Sequence, residues 1–212
     1  MRLEVPGCMG REESLSVFDA ISGRRAVRSF TPEHLDEKTV RRLLDAAVQA
    51  PTAMHREPWA FVVIQDPPLL RRLSDRAKAS WPIAMTPEQR HHAATVPQMS
   101  AFAQRLADPE FNLFYDATTL VAIGSIGSGV FSEADCWLAA ENLMLAACAL
   151  GLGTCCIGSA VVALNAPETR AELDLPADFS VVAPIIVGVP REVPPTSPRK
   201  PPRVVCWRKG VG

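Results

Sequence analysis

The stretch that decides the fold runs from Ser132 to Gly158 and reads SEADCWLAAENLMLAACALGLGTCCIG. Apolar residues cover most faces of its first part, which predicts a central, largely buried helix from Ser132 to Leu150. Gly151 follows, at a position where helices commonly end. Ser132 and Asp135 have the spacing of a capping pair, in which reciprocal side-chain bonds satisfy the first free N–H groups of a helix. We therefore expect this helix to begin at a well-defined point and to form the centre of the fold.

The same region raises the question of a membrane span, because no charged residue occurs from Leu143 to Leu164. Three glycines interrupt the run, and its nearest flanking charges are Glu141 and Glu168. A cytoplasmic membrane end is normally anchored by Lys or Arg instead. The region is therefore interpreted as a buried helix followed by a glycine-rich turn, and no membrane partner is predicted.

Shorter patterns on both sides predict further helices and strands. Helices are predicted over 14–21, 36–48, 69–78, 98–106 and 168–173. Strands are predicted over 59–64, 118–123 and 181–187, with a terminal strand over 204–207. The region 80–116 is mixed and is expected to cover the substrate. Because helices and strands do not alternate regularly, the order favours an α+β fold over a doubly wound parallel sheet.

The two ends of the chain differ from its middle. Six prolines lie between Pro190 and Pro202, and proline disfavours helix, so 190–212 is predicted to be an extended tail. Residues 1–13 are predicted to be a flexible N-terminus without the apolar stretch of a signal peptide. The whole chain, 1–212, is predicted to form one domain.

Composition narrows the classes of function. The 212 residues include 22 Lys and Arg against 23 Asp and Glu, so the net charge of -1 gives no basic surface for nucleic acid. The six cysteines form no C-x-x-C pattern and no zinc-type cluster, so no metal is predicted and small buried thiols in a reducing cytoplasm are expected. The pair His91 and His92 is interpreted as solvated surface, because neighbouring side chains point in different directions.

A glycine-rich segment, GSIGSG from Gly124 to Gly129, invites a dinucleotide-binding interpretation. Its spacing is not G-x-G-x-x-G, and the acidic residue expected about twenty residues later would fall inside a helix. Hydrolase and phosphate-loop motifs do not occur either. The segment is therefore predicted to be a flexible loop between a strand and the central helix.

The strongest chemical signal is RRAVRSF, from Arg24 to Phe30, with three arginines close together. Guanidinium groups present forked donors that suit phosphate oxygens. On charge alone, a solvated basic turn explains this segment at least as well. We call it the arginine segment.

Two other segments favour a phosphate-binding role of the arginine segment over a solvated turn. APTAMHREPWAF lies at 50–61, and AENLMLAACALGLGTCCIG ends the stretch quoted first. In this order and spacing, together with Gly188-Val-Pro190 and Arg199-Lys-Pro201, the segments resemble the FMN-dependent nitroreductase family over about residues 15 to 207. The resemblance implies a mixed central sheet flanked by helices, in an intertwined homodimer with FMN sites at the subunit interface.

The resemblance also implies particular FMN contacts. Those of the phosphate and ribityl chain are Arg24, Arg25, Ala26 (through its backbone), Arg28 and Arg199. Those contributed near the ring by the partner subunit are Pro51, Thr52, Ala53 and His55. Those that bring backbone N–H groups to the flavin N5–O4 edge are Ile157, Gly158 and Ser159. The tail would cross to the other subunit to deliver Arg199.

Three positions depart from the family pattern. His55 stands where the family has Asn, and a histidine can still donate or accept a hydrogen bond. Glu57 replaces a Gln, and an ionised carboxylate near the flavin would lower its potential. The favoured interpretation is that Glu57 pairs with Arg56 or Arg28 instead. Glu141 also replaces a Gln and is expected to have no catalytic consequence.

The function implied by the resemblance is NAD(P)H:acceptor oxidoreduction, with NADH or NADPH as donor and a nitroaromatic, quinone or related electrophile as acceptor. Hydride would pass through flavin N5 in a ping-pong cycle, so no catalytic side chain is predicted. Two different functions remain open. One is that of a family relative that uses FMN for dehalogenation, enone reduction or flavin fragmentation, and the other is that of a non-catalytic flavin-binding or redox-sensing protein.

Overall fold

The computed structural model describes residues 15–84, 86–88, 91, 95–196 and 198–210. The predicted flexible N-terminus, 1–13, and His92 lie outside the described residues. The helices are α1 (Val17–Gly23), α2 (Glu37–Ala47), α3 (Pro67–Ala84), α4 (Pro97–Ala107), α5 (Ser132–Ala149), α6 (Val161–Leu164) and α7 (Pro167–Glu172). The strands are β1 (Trp59–Ile64), β2 (Thr119–Ile126), β3 (Gly153–Cys156) and β4 (Phe179–Gly188). Short 3-10 turns span Ala53–His55 and Gly158–Ala160.

The strands form one sheet in the order β1-β2-β4-β3, and each neighbouring pair is antiparallel. A single parallel bridge, between Ala26 and Thr154, adds the only parallel contact in the described part of the chain. The α+β prediction is confirmed. The sheet is mixed only through that one bridge.

Both faces of the sheet are buried, because alternate residues of β2 enter different cores. Leu120 belongs to a core with α3 and α6, whereas Val121 belongs to a core with α2 and α5. Since side chains alternate along a strand, a run that is apolar at every position covers both faces. The sheet is thus a middle layer between two layers of helices.

The helix α5 begins at Ser132 and ends beside Leu150 as predicted, but its N-terminal cap differs from the prediction. Gly151 adopts φ 73°, and the N–H groups of Gly151 and Leu152 donate to the carbonyls of Cys148 and Ala147, which is a Schellman ending. The predicted capping pair is wrong. Phe131 is the N-cap, so Ser132 is already helical and no side chain caps this end.

Three further expectations are corrected. The loop predicted over 124–129 begins only after Ile126, since Gly124 lies inside β2, where a Cβ would come within 2.3 Å of the Ser180 carbonyl oxygen. The glycine-rich turn after α5 leads into β3, a strand that the sequence pattern did not indicate. The terminal strand predicted over 204–207 is wrong, because these residues pair with no strand and are exposed.

A close approach of two segments predicts a large effect at Gly153. A Cβ there would lie 2.8 Å from three side-chain carbons of Val27. We expect Gly153→Ala to lower the free energy of unfolding by about 1–3 kcal/mol, as overpacking does in other cores. Urea unfolding of the apoprotein, monitored by circular dichroism, measures this loss of stability. Gly158→Ala is the matched control, because a Cβ there meets nothing within 4 Å. Equal stability of the two variants would contradict the prediction.

Candidate functional site

The arginine segment lies along the edge of the sheet and is held at both ends. The Val27 N–H donates to the Thr154 carbonyl of β3 at 2.9 Å. Further along, the Thr31 N–H donates to the Val189 carbonyl at 2.9 Å, next to the bridge between Phe30 and Pro190. Val27 and Phe30 are buried, whereas Arg28 is exposed. The backbone is therefore anchored, while the arginine side chains stay available.

The three arginines have different surroundings. Arg24 Nε lies 3.5 Å from Glu141 Oε1 of α5, an ion pair that the sequence did not indicate. Arg25 Nη1 donates to the carbonyls of Ser22 and Arg24, at 2.6 and 2.8 Å, and its buried Nε has no partner among the described residues. Arg28 lies over the Tyr115 ring, with its Cζ 5.9 Å from the ring centroid. Arg24 and Arg28 thus have the freer guanidinium groups.

Arg28 lines a cavity of about 130 Å³ together with the predicted residues Ile157, Gly158 and Ser159. We call it the arginine cavity. The remaining lining residues are Phe102, Leu113, Tyr115, Cys155 and Cys156. Phe102 and Tyr115 belong to the region predicted to cover the substrate. The structure therefore brings two separate sequence motifs to one place, beside β3.

Gly158 tests whether this cavity fits a flavin. A Cβ added at Gly158 meets no atom of the described residues within 4 Å, and the φ of Gly158 does not lie in the left-handed region. The protein's own packing therefore gives no reason for glycine here. Open space in front of a main chain suits a planar ring that must approach it closely. The guanidinium of Arg28, which lines the same cavity, supplies a cationic donor there. The residues present fit an FMN group.

The two cysteines in the lining are not reactive thiolates. Burial raises the pKa of the Cys155 thiol, and the positive charge of Arg28 offsets this only in part. Burial also raises the pKa of Cys156 to about 11. Both groups are protonated at neutral pH, and a protonated thiol is a poor nucleophile. They act here as small apolar surface.

The loop that carries Pro51, Thr52, Ala53 and His55 does not line the arginine cavity of the same protomer. Its backbone is strained, with φ of 55° at Met54, 52° at His55 and 44° at Glu57. The carboxylate of Asp135, a buried residue of α5, accepts a hydrogen bond of 3.2 Å from the Ala53 N–H. Asp135 thus positions this loop instead of capping its own helix. Strain of this kind persists only where the surrounding structure enforces it.

The interpretation of Glu57 as an ion-pair partner is wrong for the protomer. Within the described ranges, its carboxylate pairs with neither Arg56 nor Arg28. Glu57 is exposed instead. Arg199 is also exposed, and among the described residues of one protomer it makes no hydrogen bond or ion pair to the arginine segment.

Two further questions about the described part of the chain are whether it holds a metal-binding cluster and whether any of its helices could span a membrane. Among the described residues, no set of three His, Cys, Asp or Glu side chains is arranged to hold a metal ion. In that same part of the chain, no helix has the length and apolar character that crossing a bilayer requires.

Known proteins resemble this chain in sequence and in fold. The family model described as the nitroreductase family matches residues 21–189. A 5,6-dimethylbenzimidazole synthase from Rhodospirillum rubrum is 33% identical over 178 residues, which is 81% of each chain. An NADH dehydrogenase from Thermus thermophilus is 26% identical over 93% of this chain and 100% of its own. The structure of an FMN-dependent nitroreductase from Clostridium difficile is 26% identical with a TM-score of 0.69, covering 90% of this chain and 98% of that one.

The fold and the site define an α+β protein with a cationic cavity beside one edge of its sheet. The chain belongs to the nitroreductase family. The family predicted from the three sequence segments is confirmed.

Proposed function

We propose that this protein is an FMN-dependent NAD(P)H:acceptor oxidoreductase that reduces a nitroaromatic, a quinone or a related electrophile. One observation carries the proposal: Arg28 and the open space before Gly158 belong to the same cavity. A cationic donor and an unobstructed main chain are the two features that a phosphate-bearing planar cofactor needs. Relatives named as NAD(P)H nitroreductase and NADH dehydrogenase support the same activity.

The residues proposed to hold FMN divide into three groups. Arg24 and Arg28 bind the phosphate and ribityl chain, with weaker help from Arg25, because its Nη1 is already committed to two carbonyls. Ala26 contributes through its backbone, which the bridge to Thr154 fixes. Gly158 and Ser159 present their backbone to the ring. The Ile157 N–H, which the resemblance also assigned to the flavin edge, already donates to the Pro184 carbonyl at 2.8 Å, so Ile157 contributes only to the cavity lining. Arg199 approaches the phosphate from the tail.

When bound, FMN supplies the hydride-transfer chemistry, and the protein supplies binding and orientation. Burial keeps Cys155 and Cys156 neutral and weakly acidic, so neither thiol is proposed as the proton donor. We propose that a solvent proton completes the reduction. We propose no catalytic side chain.

The protein is further proposed to act as a homodimer. Apolar side chains of α1, α5 and the tail are unusually exposed, and large exposed apolar surface on a folded chain normally marks an interface. They are Val17, Phe18, Ile21, Trp137, Leu138, Val205 and Trp207. A second copy would cover them and bring Pro51, Thr52, Ala53 and His55 beside the flavin. The described cysteines are free thiols, which suits the proposed cytoplasmic location.

A second candidate function is flavin fragmentation. The identity of 33% to a 5,6-dimethylbenzimidazole synthase favours it over dehalogenation, enone reduction and redox sensing. Oxidoreduction and fragmentation differ in the fate of the cofactor. An oxidoreductase recovers its oxidised flavin after each turnover, whereas fragmentation consumes it.

Anaerobic titration of the purified protein with NADH and NADPH tests both candidate functions, oxidoreduction and flavin fragmentation. We expect a yellow dimer whose absorbance near 450 nm, a flavin band, bleaches with one or both donors and returns with a nitroaromatic or quinone. A yellow protein inert to both donors contradicts oxidoreduction and leaves a flavin-binding sensor. Bleaching followed by permanent loss of the flavin band in air identifies fragmentation. A colourless protein that takes up no added FMN overturns the whole proposal.

A further inference from the structure

A second cavity, of about 280 Å³, adjoins the arginine cavity and shares Arg28 and Tyr115 with it. We call it the annex. Two more arginines line it, Arg105 of α4 and Arg191 at the start of the tail. Glu110 and Asp116 are its acidic members. The annex therefore carries three positive and two negative side chains.

Stacking holds two of these arginines in place. Arg105 Cζ lies 4.4 Å from the Phe111 ring centroid and 5.4 Å from that of Tyr115, and Arg28 Cζ lies 5.9 Å from the Tyr115 centroid. The two rings meet edge to face, with centroids 5.4 Å apart. A guanidinium stacked on a ring keeps its N–H groups free for an acceptor in its own plane.

No carboxylate of the described residues takes up those donors. Arg28, Arg105 and Arg191 make no ion pair there, although Glu110 and Asp116 line the same space. Oppositely charged side chains that share a cavity without pairing leave room for a charged ligand between them. A net charge of one positive unit matches a single anionic group.

Tyr115 is held in its position by a turn whose backbone is strained. Tyr115 and Asp116 have φ of 54° and 55°, a region that residues other than glycine rarely adopt. Asn112 holds the turn, because its carbonyl accepts from the Tyr115 N–H and its Nδ2 donates to Asp116 Oδ1, each at 2.9 Å. Strain fixed in this way keeps the ring beside both guanidinium groups.

The geometry points to an anion subsite in the annex, which binds a carboxylate or phosphate group of a reaction partner while its reacting end faces the flavin. The inference rests on the proposed function, and it names the substrate class: an acceptor with a carboxylate, or a donor with an additional phosphate. Arg105 is the main donor, with Arg191 beside it. Arg28 lies at the junction of the two cavities.

Binding is tested first, because it needs no turnover. Calorimetric titration of the purified protein with 4-nitrobenzoate and with neutral 4-nitrobenzyl alcohol compares the affinities for an anionic and an uncharged ligand of similar shape. We expect Arg105→Gln to weaken nitrobenzoate binding relative to the alcohol by about tenfold, the size of one lost charge-assisted hydrogen bond. Glu110→Gln should strengthen it by about twofold to threefold, since it removes a screened, repelling charge. Arg42→Gln, an exposed arginine of α2 outside the annex, is the matched control.

Opposite changes in the two variants support an anion subsite, because a merely structural role of Arg105 does not predict tighter binding from Glu110→Gln. If both variants bind 4-nitrobenzoate and 4-nitrobenzyl alcohol with the same relative affinity as the wild type, the anion subsite is overturned. Loss of bound FMN from Arg105→Gln also overturns it, since the annex would then hold the cofactor's own phosphate.

Turnover then identifies the source of the anion. If the acceptor supplies it, Arg105→Gln lowers the ratio of kcat/KM for nitrobenzoate over nitrobenzyl alcohol about tenfold with NADH. If the donor supplies it, the same variant lowers the ratio for NADPH over NADH with the neutral acceptor. A wild-type protein that fails to oxidise either donor refutes the oxidoreductase proposal alone, and the calorimetric result still decides the annex.

Discussion

Replacing Arg24 and Arg28 together by Ala is expected to weaken FMN binding by about 100-fold or more. Each arginine is proposed to make a hydrogen bond to a charged group, and each such bond contributes roughly 1.5–3 kcal/mol. The fold should survive, because the ion pair of Arg24 with Glu141 is partly exposed and stabilises by at most about 1 kcal/mol. Flavin occupancy, read from the ratio of absorbance near 450 nm to that at 280 nm, and the free energy of unfolding of the same sample check both parts.

Arg41→Ala is the matched control for this double variant. Arg41 also pairs with a glutamate, Glu37 in α2, but it is exposed and lines neither the arginine cavity nor the annex. The Arg41→Ala variant should therefore keep the full flavin occupancy of the wild type. If the double variant also kept its flavin, the arginine segment would be the solvated basic turn that charge alone allowed.

Gly158→Val is expected to abolish FMN binding without destabilising the apoprotein. Its side chain would enter the arginine cavity, where no atom in the part of the chain that the structure describes lies within 4 Å of a Cβ at position 158. A β-branched residue in a short 3-10 turn costs little by itself. We therefore expect no flavin in the purified variant and a free energy of unfolding within about 1 kcal/mol of the wild-type apoprotein.

The pair of glycines Gly153 and Gly158 makes this result specific. Gly153→Ala should lose stability through contact with Val27, whereas Gly158→Val should lose the cofactor and keep its stability. Normal flavin uptake by Gly158→Val would mean that the space before Gly158 is not where the ring lies. Loss of both properties in both variants would mean that the substitutions act only on the fold.

Local pattern predicted much of this architecture. The apolar spacing of α2 and its start at Asp36, whose side chain accepts from the Thr39 N–H, follow from residues close together in the sequence. The ends of β1 coincide with the predicted 59–64, since prolines bound it on both sides. The Schellman ending of α5 was implied by Gly151 alone. Such features depend on a few adjacent residues, which a sequence shows directly.

Contacts between segments that are far apart in the chain could not be predicted from local sequence pattern. Asp135 has the right spacing for a cap, but the Ala53 N–H competes for its carboxylate, and only the fold brings the two together. Strand β3 is too short for a pattern of its own and exists because β4 pairs with it. The candidate site shows both cases. Arg28 and Gly158 belong to recognisable segments, whereas the role of Tyr115 depends on strain within its own turn.

The bond between the Val27 N–H and the Thr154 carbonyl has a consequence for solubility. Strand β3 is at the end of the sheet, and an uncovered edge is a template for pairing with other molecules of the same protein. The arginine segment covers part of that edge, and its charges oppose the close approach of another strand. A variant whose arginine segment detaches is therefore expected to aggregate through its sheet before any loss of chemistry can be measured.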